Sequence, residues 1–245
     1  MTFGGIRKLT LLDYPDKTAC TLFTVGCNFR CPYCQNSSLI DATHYAQTTS
    51  PAKNAGMQNI SPSDVLDFLK TRHGLLDGVC ISGGEPLIHD NLAPFIDEIK
   101  KLGFLVKIDT NGSHPQKLEK LLKSGKIDYV AIDIKNTAEK YAKTIGLKTF
   151  DITPILDSIK LLKQSTVEHE YRTTVVREFH TEDDLISIAK WLNEHSGNNT
   201  KFYLQNFVSS DNVLQKGLSG YSATEMEQFQ NHVKSVLPQT ELRGV

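Results

Sequence analysis

A chain of 245 residues with 39% hydrophobic and 22% charged side chains is long enough for one large globular domain or at most two small ones. Its 27 basic residues stand against 28 acidic ones, a formal charge of -1, so no strong field points to nucleic acid or to an anionic membrane surface. No segment approaches the roughly 18 apolar residues that cross a bilayer, and the opening residues have no unbroken apolar signal core, so the chain reads as cytoplasmic with no membrane partner.

Apolar runs of strand length alternate about six times with stretches of helical period, which predicts an α/β fold with buried parallel strands. The first strand is expected over residues 18–25. Directly after it come Cys27, Cys31 and Cys34, three of the five cysteines. Their C-x3-C-x2-C spacing places three thiolates on one tight loop, unlike a secreted disulfide framework. Three thiolates can hold three irons of a cubane and leave the fourth without a protein ligand. The same spacing serves a zinc site with a fourth donor such as His44 or Cys80, or three buried thiols with no metal. Residues 42–61, rich in Thr, Ser, Gln, Asn and Ala, read as a loop.

Ser61 and Pro62 suit the start of the first main helix, whose apolar face carries Val65, Leu66 and Leu69. A strand over residues 78–82 runs into Ser82-Gly83-Gly84-Glu85-Pro86, where two glycines let a ligand approach the backbone and Glu85 could receive an ammonium group. A plain Gly-Gly turn with an exposed glutamate is the alternative. A helix follows with Phe95, Ile96 and Ile99, then a strand over 104–109 that ends in Asp109-Thr110-Asn111-Gly112, then a helix with Leu118, Leu121 and Leu122. The strand over 127–134 ends in Asp133-Ile134-Lys135. Taken singly these polar strand ends are turn chemistry, but their common edge is where α/β folds place sites.

A short helix is expected over 138–145 and a longer one with Ile155, Ile159 and Leu162. Arg172 falls within the next strand, over 169–176, where an inward guanidinium needs a carboxylate or an anionic ligand. A helix with Leu185, Ile188, Ala189 and Leu192, a strand over 201–207 and a helix over 223–236 complete the chain. Cys20, Cys80 and Trp191 read as core, and no phosphate-binding loop or Gly-x-Gly-x-x-Gly is present.

With Tyr33 just before the last cysteine, the cysteine motif resembles the cluster motif of the radical S-adenosylmethionine enzymes. The GGEP, DTNG and DIK segments extend the resemblance from about Ile6 to Phe207. Within that superfamily the opening, GGIRKLTLLDYPDKTACTLFTVGCNFRCPYCQN, is most similar to activating enzymes of glycyl-radical proteins, especially those of anaerobic ribonucleoside-triphosphate reductase. The resemblance implies a partial (β/α)6 barrel open at one side and a single domain over 1–245, with a core at about 6–207 and a C-terminal helical extension at about 208–245.

It further implies a 4Fe-4S cluster on Cys27, Cys31 and Cys34, and S-adenosylmethionine as cofactor. Tyr33 would support the adenine end, and Gly83, Gly84 and Glu85 would receive the methionine amino group. Asp109, Thr110 and Asp133 align with residues beside the cofactor and a monovalent cation, while Lys135 and Arg172 would face its ribose or carboxylate. The implied partners are a glycyl-radical enzyme as protein substrate and a flavodoxin- or ferredoxin-like electron donor. Gln35, Gln205 and Asn206 depart from the pattern, since relatives carry His at the first position and some activators carry His near the others. The absence of cysteine from 42–61 implies a single cluster. The motif serves equally a superfamily member acting on a small molecule, peptide or RNA. Outside the superfamily stands a non-catalytic zinc-binding interaction module.

Overall fold

The structure, a computed structural model, describes residues 1–41 and 59–244. The expectations for His44 and for most of the polar loop lie outside the described residues. Among the described residues eight strands follow one another through the sheet in chain order, β1 to β8. The chain divides into two compact units: Met1–Asn28, Ser38–Thr110 and Gln116–Val130 form the first, and Phe29–Ser37, Asn111–Pro115 and Ala131–Val245 the second.

The first unit is built on β1 (Phe3–Thr10), β2 (Ala19–Thr24), β3 (Gly78–Gly83) and β4 (Leu105–Thr110), followed by the first residues of β5 (Tyr129–Asp133). Strand β2 runs parallel to β3 and β3 parallel to β4, with Leu22 opposite Ile81 and Ile81 opposite Ile108. Cys20, Leu22, Val79, Cys80, Ile81, Val106 and Ile108 are completely buried, as strands covered on both faces require. Burial pushes the Cys20 thiol up to about 12, which makes it the inert core residue expected. Helices α1 (Pro62–Lys70), α2 (Leu92–Lys101) and α3 (Pro115–Lys123) return the chain between strands. At the start of α1 the Ser61 hydroxyl accepts from the Asp64 amide, the Asp64 carboxylate accepts from the Ser61 amide, and Pro62 occupies the first turn.

The second unit carries the rest of β5, then β6 (Glu168–Val175), β7 (Phe202–Asn206) and β8 (Thr240–Arg243), with helices α4 (Ala138–Thr144), α5 (Thr153–Gln164), α6 (Glu182–Ser196) and α7 (Ala223–Lys234). Its strands β6, β7 and β8 are parallel, Tyr171 facing Phe202 and Phe202 facing Thr240.

Six strands and seven helices thus fall where apolar periodicity placed them, and two strands do not. Strand β1 pairs antiparallel with β2 and exposes Arg7, Lys8 and Leu9, so its sequence lacks the apolar run of a buried strand. Strand β8 is four residues long and carries Glu241 and Arg243. The extension after 207 is therefore helix followed by strand, because β8 completes the free edge of β7. Ile60, at the end of the expected loop, bridges to Phe3. Trp191 is half-buried beside His195 on α6 and is not core. Among the described residues no helix is long and apolar enough to cross a membrane.

Replacing Ser61 with Ala removes one of the two reciprocal bonds that start α1. The unfolding free energy measured in urea should fall by about 1 kcal/mol with an unchanged denaturant slope.

Candidate active site

In the first unit, backbone hydrogen bonds join the segment that leads into Cys27 to the end of β3. The Gly84 amide donates to the Thr24 carbonyl at 2.8 Å and the Glu85 amide to the Gly26 carbonyl at 2.8 Å, while the Cys27 amide donates to the Ile40 carbonyl at 3.1 Å. A Cβ at Gly84 would stand 2.0 Å from the Gly26 oxygen, and one at Gly83, whose φ is +104°, would stand 2.5 Å from the Thr24 nitrogen. The close approach of two protein segments is sufficient reason for both glycines.

This bracing points Glu85 inward, where it is 1% exposed. Its Oε1 accepts from the Leu87 amide at 3.0 Å and from the Thr110 hydroxyl at 2.6 Å. Thr110 thus orients the glutamate. Asp109 meets a residue that the sequence reading passed over. Lys107, only 1% exposed on the same strand, places Nζ 2.5 Å from Asp109 Oδ1 and 5.8 Å from the centre of the Tyr129 ring. The ammonium thus pairs with the Asp109 carboxylate inside the fold. The signal was present in the alternation of β4, since residues two apart share a strand face.

In the second unit, Cys31 is buried and Cys34 half-buried. The Cys34 amide donates to the Cys31 carbonyl at 3.0 Å, closing a turn, and the Arg30 amide donates to the Ile145 carbonyl at 2.9 Å. Gly146, at a φ of +72°, permits that approach, because a Cβ there would lie 2.2 Å from the Arg30 oxygen. The three departing residues divide. Gln35 donates from Nε2 to the Val208 carbonyl at 2.9 Å, the Gln215 amide donates to the Pro32 carbonyl at 2.9 Å, and the Ser37 hydroxyl donates to the Asn212 carbonyl. Asn206 clamps the Tyr221 backbone, donating to its carbonyl at 2.7 Å and accepting from its amide at 3.0 Å. Gln205 is half-buried at the end of β7.

Arg172, buried, donates from Nε to Asp133 Oδ1 at 2.9 Å, and Lys135 Nζ stands 3.4 Å from Asp133 Oδ2. Burial alone raises a carboxyl's pKa, but the two cations outweigh it and hold Asp133 at about 2. Burial pushes the Cys34 thiol up, offset in part by a backbone bond from Asn36 and by Lys135. His180 is completely buried, and two bonds set its tautomer. Nε2 lies 2.8 Å from the Lys135 carbonyl and therefore carries the proton, while Nδ1 accepts from the Val176 amide at 3.2 Å. Burial first of all keeps that ring neutral by lowering its pKa. His180 therefore fixes the backbone of the DIK segment, a role that spacing to other histidines could not reveal.

Tyr33 packs against Phe179, with ring centres 5.8 Å apart, and edge-on against His180. It is 4% exposed, and its hydroxyl has no hydrogen-bond partner among the described residues. A buried orphan hydroxyl beside the cysteines is a place for a bound group to complete. Three cysteine thiolates are a donor set that an iron-sulfur cubane accepts, each thiolate taking its own iron.

The family model described as Radical SAM superfamily matches residues 21–192. A candidate glycyl-radical enzyme activating enzyme of Methanocaldococcus jannaschii is 37% identical over 191 residues, 76% of this chain and 73% of that protein. A 7-carboxy-7-deazaguanine synthase of Synechocystis sp. is 22% identical over 79% of this chain and 86% of that protein. Among solved structures, a radical SAM methyltransferase from Sphaerobacter thermophilus covers 96% of this chain and 68% of its own with a TM-score of 0.72. At 12% identity, that likeness is one of fold.

Removing one partner of the buried Lys107 and Asp109 pair should be costly and removing both should not. Lys107→Met is expected to lower the unfolding free energy by about 3 kcal/mol, and Lys107→Met with Asp109→Leu to recover most of it. Asp133 gives a pH test. Its carboxyl lies below the ordinary 3.8, so the stability it contributes is complete above that pH and disappears as pH falls through about 2. Over that window the difference in urea unfolding free energy between wild type and Asp133→Asn should shrink; a difference independent of pH would contradict the ion pairs.

Proposed function

Because the chain belongs to the radical SAM superfamily, we propose that it cleaves S-adenosylmethionine reductively at a 4Fe-4S cluster and thereby generates a glycyl radical on a partner enzyme. The observation that carries the superfamily reading is the reach of the match. Residues 21–192 take in all three cysteines, the GGEP, DTNG and DIK segments, and Arg172. The glycyl-radical reading is supported by 37% identity, over about three quarters of both chains, to a candidate activator.

In this proposal Cys27, Cys31 and Cys34 hold the cluster, as one domain with the rest of the chain. When bound, the cluster supplies the electron that breaks the sulfonium of S-adenosylmethionine, leaving a carbon radical able to take hydrogen from an unactivated C–H bond. The chain's own residues bind and orient. Glu85, buried and aimed by Thr110 and Leu87, offers a carboxylate to the methionine ammonium beside the Gly83 and Gly84 backbone. Asp133, Lys135 and Arg172 present two cations and one anion to the ribose and carboxylate. Tyr33 supports the adenine end, with His180 holding its neighbour Lys135 in place. Asp109, paired with Lys107, lies with Thr110 beside the cofactor, where the proposal keeps a monovalent cation. The reaction needs no general base from the protein, since what is transferred is a hydrogen atom.

The partner proposed is anaerobic ribonucleoside-triphosphate reductase, with a flavodoxin- or ferredoxin-like protein as electron donor. A second reading, a superfamily enzyme acting on a small molecule, is favoured by the similarity to a 7-carboxy-7-deazaguanine synthase.

The decisive experiment mixes the anaerobically reconstituted chain with reductant, S-adenosylmethionine and the reductase of the same organism. A glycine-centred electron paramagnetic resonance signal is expected with the wild-type chain and none with Cys31→Ala, which should also fail to assemble the cluster. Cofactor cleavage without that signal, together with consumption of a small molecule, would replace the first reading with the second.

A further inference from the structure

Strand β6 carries three charged residues on one face, of which Glu170 and Arg172 are buried. Glu170 is completely buried. Its two oxygens accept from Arg243 of β8, Nη1 to Oε1 at 2.8 Å and Nη2 to Oε2 at 2.9 Å. The Arg243 guanidinium lies 3.5 Å from the centre of the Tyr203 ring, and in the sheet Tyr203 pairs with Arg172 and Gln205 with Arg243. Arg172 keeps its Nη1 3.9 Å from Glu170 Oε1 while its Nε donates to Asp133 at 2.9 Å.

We propose that Arg243 is a positioning residue for the cofactor site: by satisfying both oxygens of Glu170 it leaves Arg172 directed at Asp133. The inference rests on the reading above, in which Arg172 faces S-adenosylmethionine. A buried carboxylate takes the strongest donor within reach, and a guanidinium engaging both oxygens is the strongest that a side chain supplies. Without Arg243, Arg172 is the guanidinium already beside Glu170. Turning toward that carboxylate takes its Nε from Asp133 and leaves Lys135, 3.4 Å away, as that aspartate's cation. Lysine cannot stand in for Arg243, since a point charge makes no parallel pair of bonds and lacks the flat face laid on Tyr203. The last strand, remote in sequence, thereby sets the aim of an arginine in the middle of the chain.

The test uses the full chain with its cluster reconstituted anaerobically. It measures the dissociation constant of S-adenosylmethionine by equilibrium dialysis, and the change that S-adenosylmethionine makes in the electron paramagnetic resonance spectrum of the reduced cluster. Arg243→Met should bind about tenfold more weakly and lose much of the spectral change. Glu170→Gln with Arg243→Met should bind like wild type, because no buried anion then competes for Arg172. Wild-type binding by Arg243→Met overturns the inference. So does a double variant as weak as the single one, since the loss would then follow from the missing side chain and not from the diverted charge. If Arg243→Met fails to fold, the double variant decides alone by the same criterion. An unaltered chain that binds no S-adenosylmethionine would instead remove the reading of Arg172 on which the inference stands.

Discussion

A carboxylate taken out of water stays charged only where cations or hydrogen-bond donors replace the solvent. Among the acidic side chains under that constraint are two buried and two half-buried ones on or just past the strands, and much of the site's geometry follows from them. Glu85 is held by a hydroxyl and an amide, Asp109 by an ammonium, Asp133 by a guanidinium and an ammonium, and Glu170 by a two-pronged guanidinium. In each case the partner lies on a strand or just past its end, so the sheet fixes both members. Partners placed in this way are arranged before a charged ligand arrives, which is the property an orienting site needs.

The parts of the fold legible in the sequence were those where burial and periodicity coincide. Strands β2 through β7 have their apolar residues where both faces are covered, and the helices repeat theirs on one face. Strands β1 and β8 escaped notice because a sheet edge asks little of side chains. Phe3–Thr10 admits two glycines and two cations, and Thr240–Arg243 is held by pairing with β7. Of the site, cysteine spacing and strand-end motifs could be read directly because they are local. Glu170, His180 and Arg243 could not, since each acquires meaning only from a neighbour brought near by folding, whereas Lys107 could have been read from Asp109 two residues along the same strand.

The residues that depart from the family pattern illustrate the same point. Gln35 and Asn206 looked in sequence like missing contacts to a cofactor. In the structure Gln35 reaches a carbonyl of the segment after β7, and Asn206 takes the place of a neighbouring strand for the Tyr221 backbone. An amide can donate and accept at once, as a protonated imidazole cannot, and the Tyr221 backbone asks for both. Tyr33 shows the converse. Its ring is fully accounted for by Phe179 and His180, and its hydroxyl is not.

The hydrogen bonds from Pro32, Gln35 and Ser37 to residues 208–215 bear on how the protein is made. During synthesis the three cysteines emerge well before the backbone that secures the last two, which follows more than 170 residues later. A nascent chain halted before Val208 carries the complete cysteine motif and none of those three tethers. The loop that presents the thiols therefore takes its final shape only once residues 208–215 have been made.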